Sequence, residues 1–152
     1  MEYSHDDAGL ARQPIGYWSW AAHRSVVTHI RTALAELGLS QPQWWILSQL
    51  VDHPEGRPRT DVEAVLEGYL DVGATLEGEI DALTARNLIV QDDDDKRLRI
   101  TDEGRALQKT TATHQQTLRA EIHADITDEE YVRTLKVLQR MIHNTGGQAW
   151  HE

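Results

Sequence analysis

The order of elements between Thr60 and Arg105 restricts the possible folds of this chain most strongly. Thr60 is a good N-cap for a first helix, and a second helical pattern follows and ends near Asn87. Two runs of β-forming residues, Leu88-Ile89-Val90 and Leu98-Arg99-Ile100, then flank an acidic turn. Two helices followed by a β-hairpin predict a winged helix-turn-helix lobe, which we assign to residues 40–103.

The charge of this lobe conflicts with its order of elements. The second helix, which should enter the major groove of DNA, carries three acids, Glu77, Glu79 and Asp81. The turn of the hairpin reads Asp92-Asp93-Asp94-Asp95-Lys96-Arg97. Because DNA is a polyanion, the elements indicate a transcription factor while the charge opposes ordinary DNA binding. Two interpretations of the helix acids stay open: they are solvated surface groups at helix starts, or they mark a departure from DNA binding.

The length and composition favour one soluble domain over residues 1–152. The chain has a net charge of -10, no cysteine, and no apolar run that approaches the roughly 20 residues of a membrane span. The polar N-terminus lacks the features of a signal peptide, so we expect a cytoplasmic protein that does not bind membranes. The missing thiols exclude disulfides, and no histidine pair has the spacing of a helical zinc site, so no metal site is expected.

Long helices are predicted on both sides of the lobe, at residues 14–38 and 104–147. Their apolar residues recur every three or four positions, and Gly38 ends the first helix. Ser40 with Gln43, and Thr127 with Glu130, have the pattern of capping boxes. The expected fold is therefore mainly α with a small β wing, and the flanking helices are expected to pair with those of a second subunit in a homodimer.

Three segments of the chain resemble the MarR family of winged-helix regulators. They are Gly38-Leu39-Ser40-Gln41-Pro42-Gln43-Trp44-Trp45-Ile46-Leu47, Asp81-Ala82-Leu83-Thr84-Ala85-Arg86-Asn87-Leu88-Ile89 and Leu98-Arg99-Ile100-Thr101-Asp102-Glu103-Gly104. The resemblance implies a dimer whose lobes meet successive major grooves, with a ligand pocket where the lobes join the dimerisation helices. Where the family commonly has a Thr-Arg pair this chain has Thr75-Leu76. The candidate DNA-binding residues are Arg57, Arg59, Thr75, Arg86, Lys96 and Arg97.

Aromatic and histidine side chains indicate where a small molecule could bind. Trp20 and Trp45 lie off the main apolar stripes of their helices, and His23 shares the face of Trp20. A flat aromatic ligand could stack on such a surface, although a dimer contact or a second packed face explains these tryptophans equally well. The candidate ligand-binding residues are Tyr17, Trp20, His23, Trp45 and His114.

These observations favour a ligand-responsive regulator that binds double-stranded DNA as a homodimer. One alternative is a MarR-like scaffold that has lost DNA binding and binds or converts a small aromatic molecule. Another is an interaction protein whose acidic winged face docks on a basic partner. No nucleophile and base motif, phosphate loop or cofactor fingerprint is present, so no catalytic residue, reaction or cofactor is predicted.

Overall fold

The computed structural model describes residues 1–67, 76–92 and 94–148. They form two compact units, Met1–Gln115 and Gln116–Glu152. The elements in chain order are α1 (Asp7–Leu10), α2 (Ile15–Glu36), α3 (Gln41–Leu50), β1 (Arg57–Pro58), α4 (Arg59–Glu67), α5 (Glu77–Ala85), β2 (Ile89–Gln91), β3 (Arg97–Ile100), α6 (Asp102–Ile122) and α7 (Asp128–Asn144). The fold predicted from the sequence, mainly helical with a small β wing, is confirmed.

The wing is the hairpin of β2 and β3 in a three-stranded antiparallel sheet of order β1-β3-β2. In the hairpin Ile89 pairs with Ile100, while β1 pairs through Arg57 with Leu98. Strand β1 was not predicted, because the proline- and glycine-rich segment 53–58 indicates only a turn. Two residues are too short a strand to show a periodic pattern.

The core of the first unit lies between helices α3, α4 and α5 and the sheet. It consists of fully or nearly fully buried aliphatic side chains: Leu39, Ile46, Leu47, Leu50, Val62, Leu66, Leu76, Ile80, Leu83, Leu88, Ile89 and Leu98. Burial of this apolar surface is the main term that holds the two lobe helices and the wing together.

The start of α3 has the predicted capping box. Gln43 N donates to Ser40 Oγ and Ser40 N donates to Gln43 Oε1, both at 3.2 Å. Gly38 has φ +69°, a conformation that favours glycine and ends α2. The predicted cap at Thr60 is wrong, because β1 runs directly into α4 and Thr60 lies inside that helix.

A close backbone contact connects the wing to the start of α6. Thr101 Oγ1 donates to the carbonyl of Asn87 at 2.7 Å, and Gly104 N donates to Thr101 Oγ1 at 3.0 Å. A Cβ atom on Gly104 would stand 1.9 Å from the carbonyl oxygen of Leu88. The Thr-Asp-Glu-Gly sequence is therefore a structural junction, and only glycine fits its last position.

Helix α2 buries its apolar stripe only near its C-terminal end. Ala33 and Leu34 are buried there, whereas Ile15, Trp18 and Trp20 near the start are 47%, 40% and 54% exposed. Trp18 is therefore not a core residue of the single chain. The apolar surface of the first turns of α2 is left uncovered by the described residues of this unit.

The second unit has a comparable uncovered surface on α7. Its capping box is confirmed, with Thr127 N donating to Glu130 Oε2 at 2.9 Å. The Tyr131 ring lies 5.4 Å from the guanidinium of Arg119 and 4.5 Å from the ring of His123. Helix α7 is amphipathic, but it has no buried residue, so its apolar stripe is exposed.

Candidate nucleic-acid interface and ligand groove

Helix α5 turns an acidic face away from the core. Ile80 and Leu83 are buried, whereas Glu77, Asp81 and Thr84 are exposed. No side chain caps the start of the helix, which follows Leu76. A groove-reading surface on this helix therefore presents two carboxylates and one hydroxyl.

Glu79 does not share this exposed face. Its Oε2 accepts a hydrogen bond of 2.7 Å from Gln43 Nε2, and Gln43 is itself buried at the start of α3. A charge-assisted hydrogen bond of this kind holds the carboxylate against α3. The sequence pattern predicts that Glu79, like Glu77, faces the major groove of DNA. Residue spacing within the helix does not reveal Gln43, a partner 36 residues away.

Arg86, a candidate DNA contact, is bonded to the protein. Its Nη1 donates to the carbonyl of Gly38 at 2.7 Å and lies 3.4 Å from Gln43 Oε1. The guanidinium is thus directed at the turn between α2 and α3. Thr75, the other candidate on this helix motif, lies outside the described residues.

The two candidate arginines before α4 also have protein partners. Arg57 donates to Gln49 Oε1. Arg59 donates to Glu63 Oε1 at 2.9 Å and to Gln91 Oε1 at 3.2 Å. Both side chains are half-buried, so binding phosphate would require each to share or exchange its present acceptors.

The acidic residues of the wing form its turn. Asp92 Oδ1 accepts from Asp94 N, and Asp95 Oδ1 accepts from Arg97 N, both at 3.1 Å. Carboxylates that accept local backbone N–H groups are typical of turns. Asp93 lies outside the described residues.

The wing arginines hold its base together. Arg97 donates to the carbonyls of Glu55 and Gly56 at 3.2 and 2.7 Å, and Arg99 donates to Asp92 Oδ2 at 2.9 Å. Lys96, by contrast, is exposed at the turn, and its ammonium has no hydrogen bond or ion pair within the described ranges. Among the candidate DNA contacts that the structure describes, Lys96 has the cation most accessible to phosphate.

The ion pair of Asp92 with Arg99 predicts an acid-sensitive wing. Hydrogen bonds from Arg99 and from the backbone of Asp94 lower the pKa of Asp92 below its ordinary value of 3.8. A lowered folded-state pKa gives stability that is complete above the unfolded pKa and is lost as the pH falls through the folded pKa. We expect Asp92→Asn to lower wing stability near pH 7, and the difference from the wild type to vanish well below pH 4. Urea denaturation of both proteins at several pH values measures this, and a difference that persists at the lowest pH would contradict it.

Some of the candidate ligand residues lie together on α2. The ring of Tyr17 is 6.2 Å from that of Trp20, and the Arg24 guanidinium lies 5.5 Å from the Trp20 ring centre. A groove of about 490 Å³ follows this face of the helix. It is lined by Trp20, Ala21, Arg24, Ser25, Thr28, His29 and Thr32.

The other candidate ligand residues lie outside this groove. His23 is exposed on α2, Trp45 packs partly buried against the core, and His114 is half-buried on α6. Arg24, Thr28 and Thr32 were missed by the sequence interpretation. They follow Trp20 at successive intervals of four residues, which would have placed them on the same helix face.

A larger groove of about 990 Å³ lies in the second unit, along α7 and the turn that follows it. Apolar residues such as Val132 and Ile142 alternate there with Arg133, Lys136 and Arg140. In the described ranges no group of three metal-binding side chains is found, and no helix is long and apolar enough to cross a membrane.

Solved structures of transcriptional regulators share this architecture. The PcaV regulator of Streptomyces coelicolor superposes with a TM-score of 0.72 at 21% identity, over 90% of this chain and 100% of that one. CouR of Rhodococcus jostii, bound to p-coumaroyl-CoA, gives 0.69 at 23% identity over 85% and 91%. A MarR family protein of Mycobacterium tuberculosis in complex with DNA gives 0.64 at 19% identity over 85% and 98%.

Comparison of sequences gives no such match. No family model and no curated protein matches the chain. The likeness is therefore one of structure, and it extends over most of the chain and nearly all of each solved regulator. The chain has the winged-helix fold of the MarR family of transcriptional regulators.

Proposed function

We propose that this protein is a cytoplasmic transcriptional regulator of the MarR type, which binds double-stranded DNA as a homodimer and responds to a small aromatic ligand. The observation that carries the proposal is the extensive structural similarity to regulators, one of them solved on DNA. The wing and helix α5 supply the two elements that such a lobe would place on DNA.

The uncovered apolar surfaces support the homodimer. Ile15 and Trp18 on α2, and Val132, Leu135 and Met141 on α7, are each at least 40% exposed in the single chain. A helix with an apolar face is stabilised when another surface covers that face and removes it from water. A second copy of the chain would supply that surface for both helices.

The charge distribution makes the proposed DNA binding selective and weak. Phosphate contacts would come from Lys96 and from Arg57, Arg59, Arg86 and Arg97, with Thr75 toward the groove. All four arginines already have protein acceptors, and the exposed carboxylates of α5 repel phosphate. Such a lobe binds arbitrary DNA poorly and needs favourable base contacts to bind at all.

The groove on α2 supports the ligand response. Trp20 offers a flat face, Arg24 a cation and Thr28 a hydroxyl along one side of the helix. A flat ligand that also carries an acceptor group would fit these partners. Tyr17 adjoins Trp20, so we place the ligand first at this end of α2 and assign more peripheral roles to His23, Trp45 and His114.

The proposal is tested by fluorescence anisotropy of the protein on its own upstream DNA and on a scrambled duplex of equal length, each across a salt series. We expect preference for the upstream duplex and an affinity that falls steeply with salt, because binding releases counterions. Equal affinity for the two duplexes would reject a specific regulator.

A second candidate function is favoured by the acidic face of α5. A scaffold that has lost DNA binding and holds a small aromatic molecule would tolerate exposed Glu77 and Asp81 on that helix. This alternative predicts no binding to either duplex even at low salt. It also predicts that aromatic compounds still quench the fluorescence of Trp20.

A further inference from the structure

We propose that Gln43, Glu79 and Arg86 form a clamp that fixes helix α5 to the α2–α3 corner (residues 37–43), and that this clamp sets the position from which α5 meets DNA. The second part rests on the proposed function. The first part concerns the free protein and rests on contacts within the first unit.

The clamp holds α5 near both of its ends. Glu79 lies in the first turn and is bonded to Gln43, while Arg86 is the C-cap and is bonded to Gly38. Residues 79 and 86 are two helical turns apart, so their side chains lie on one face and about 10 Å from each other along the axis. Two contacts at that separation restrain the tilt of the helix as well as its distance from α3.

Gln43 has its amide orientation fixed by local structure. Its Oε1 accepts from Ser40 N in the capping box and faces Arg86, so the Nε2 group is left to donate to Glu79. Gln43 is only 8% exposed, and a buried amide donor without an acceptor is costly. Glu79 is therefore the matching acceptor for a donor that the cap of α3 has already positioned.

The clamp connects α5 to the helix that carries the ligand groove. Gly38 follows Leu37, the C-cap of α2, and the Gly38 carbonyl accepts from Arg86. A displacement of the end of α2 would move this carbonyl and break or strain the contact with α5. Gln43, Glu79 and Arg86 are thus positioning residues through which a change at α2 reaches the groove-facing helix.

Variants at Glu79 test the clamp, because a change of Gln43 would also remove the cap of α3. Glu79→Ala removes the acceptor, and Glu79→Gln keeps an oxygen that accepts from Gln43. Glu77→Ala is the matched control, since it removes the same charge from the same first turn without touching Gln43. Hydrogen exchange of residues 76–88 is measured in the DNA-free protein, together with urea denaturation to confirm that each variant is folded.

We expect about fivefold to tenfold faster exchange in α5 for Glu79→Ala, and rates within about twofold of the wild type for Glu79→Gln and Glu77→Ala. On DNA, Glu77→Ala should tighten binding by relieving repulsion, whereas Glu79→Ala should weaken it about threefold despite the same change in charge. Equal exchange in the two alanine variants would overturn the clamp. Tighter DNA binding by both would overturn its role in positioning α5.

Arg86→Met gives an independent measurement. If Arg86 belongs to the clamp, Arg86→Met accelerates hydrogen exchange at the end of α5 in the DNA-free protein. If Arg86 only contacts phosphate, the substitution leaves this exchange unchanged and lowers the slope of log affinity against log salt concentration by about one. Unchanged exchange would overturn the Arg86 half of the clamp. If the wild type binds no DNA, the proposed function fails, and the positioning role on DNA fails with it, while exchange still decides whether the clamp exists.

Discussion

Replacing Gly104 by alanine is expected to destabilise the protein by about 3 kcal/mol or more, which is a large part of the stability of a domain of this size. The added Cβ would stand 1.9 Å from the Leu88 carbonyl oxygen and 2.9 Å from Ile100 Cγ1. The Leu88 carbonyl is backbone that also accepts from Thr101 N, so it cannot move aside without breaking the wing junction. Urea denaturation followed by tryptophan fluorescence measures the loss.

Gly78→Ala is the matched control for this prediction. Gly78 lies in α5, and a Cβ added there would have no heavy atom within 4 Å, so alanine meets open space. We expect this change to stabilise the protein by about 0.5–1 kcal/mol, because alanine favours helix more than glycine does. A loss below about 1 kcal/mol for Gly104→Ala would show that the helix start can move away from the wing.

Reversing the charge of the exposed face of α5 is expected to give the largest change in DNA affinity. The double variant Glu77→Lys, Asp81→Lys replaces two exposed carboxylates with ammonium groups on the helix proposed to lie in the groove. We expect roughly tenfold tighter binding per position at moderate salt. We also expect the slope of log affinity against log salt concentration to become steeper by up to about 1.8, since each lysine adds up to one phosphate contact. Anisotropy on the scrambled duplex measures the effect free of sequence preference.

The control for this prediction is Glu2→Lys with Asp7→Lys. Both residues are exposed in the N-terminal segment, and the net charge changes by the same amount. If the two double variants gain equal affinity, the gain reflects net charge and α5 does not lie near phosphate. A lysine at position 77 opposes the helix dipole, so denaturation must confirm that the variant is folded.

Local features of the fold were predictable because their partners lie within one helical turn. Ser40 with Gln43 and Thr127 with Glu130 close their capping boxes as the spacing indicates. Gly38 ends α2 with a positive φ, as a glycine after an apolar stripe predicts. The wing was predictable from its two β-forming runs and the turn between them.

The candidate site was less predictable, because its charges are satisfied over long stretches of chain. Arg97 reaches the carbonyl of Glu55, and Arg86 that of Gly38, across 42 and 48 residues. A sequence shows that an arginine is present but not which acceptor it uses. The count of basic residues therefore overstated the cations free for phosphate.

The sequence by itself determined the order of the long helices and the β-hairpin, the two capping boxes and the acidic character of the lobe, since these follow from periodicity, local hydrogen bonds and composition. Only the tertiary structure decided which charges are used inside the protein. Glu79 and Arg86 turn toward the α2–α3 corner, while Glu77 and Asp81 turn toward solvent. All four residues nevertheless lie in one ten-residue segment, which consists of α5 and its C-cap. The physical reason is that the direction of a helix face is set by the burial of Ile80 and Leu83 against distant parts of the chain.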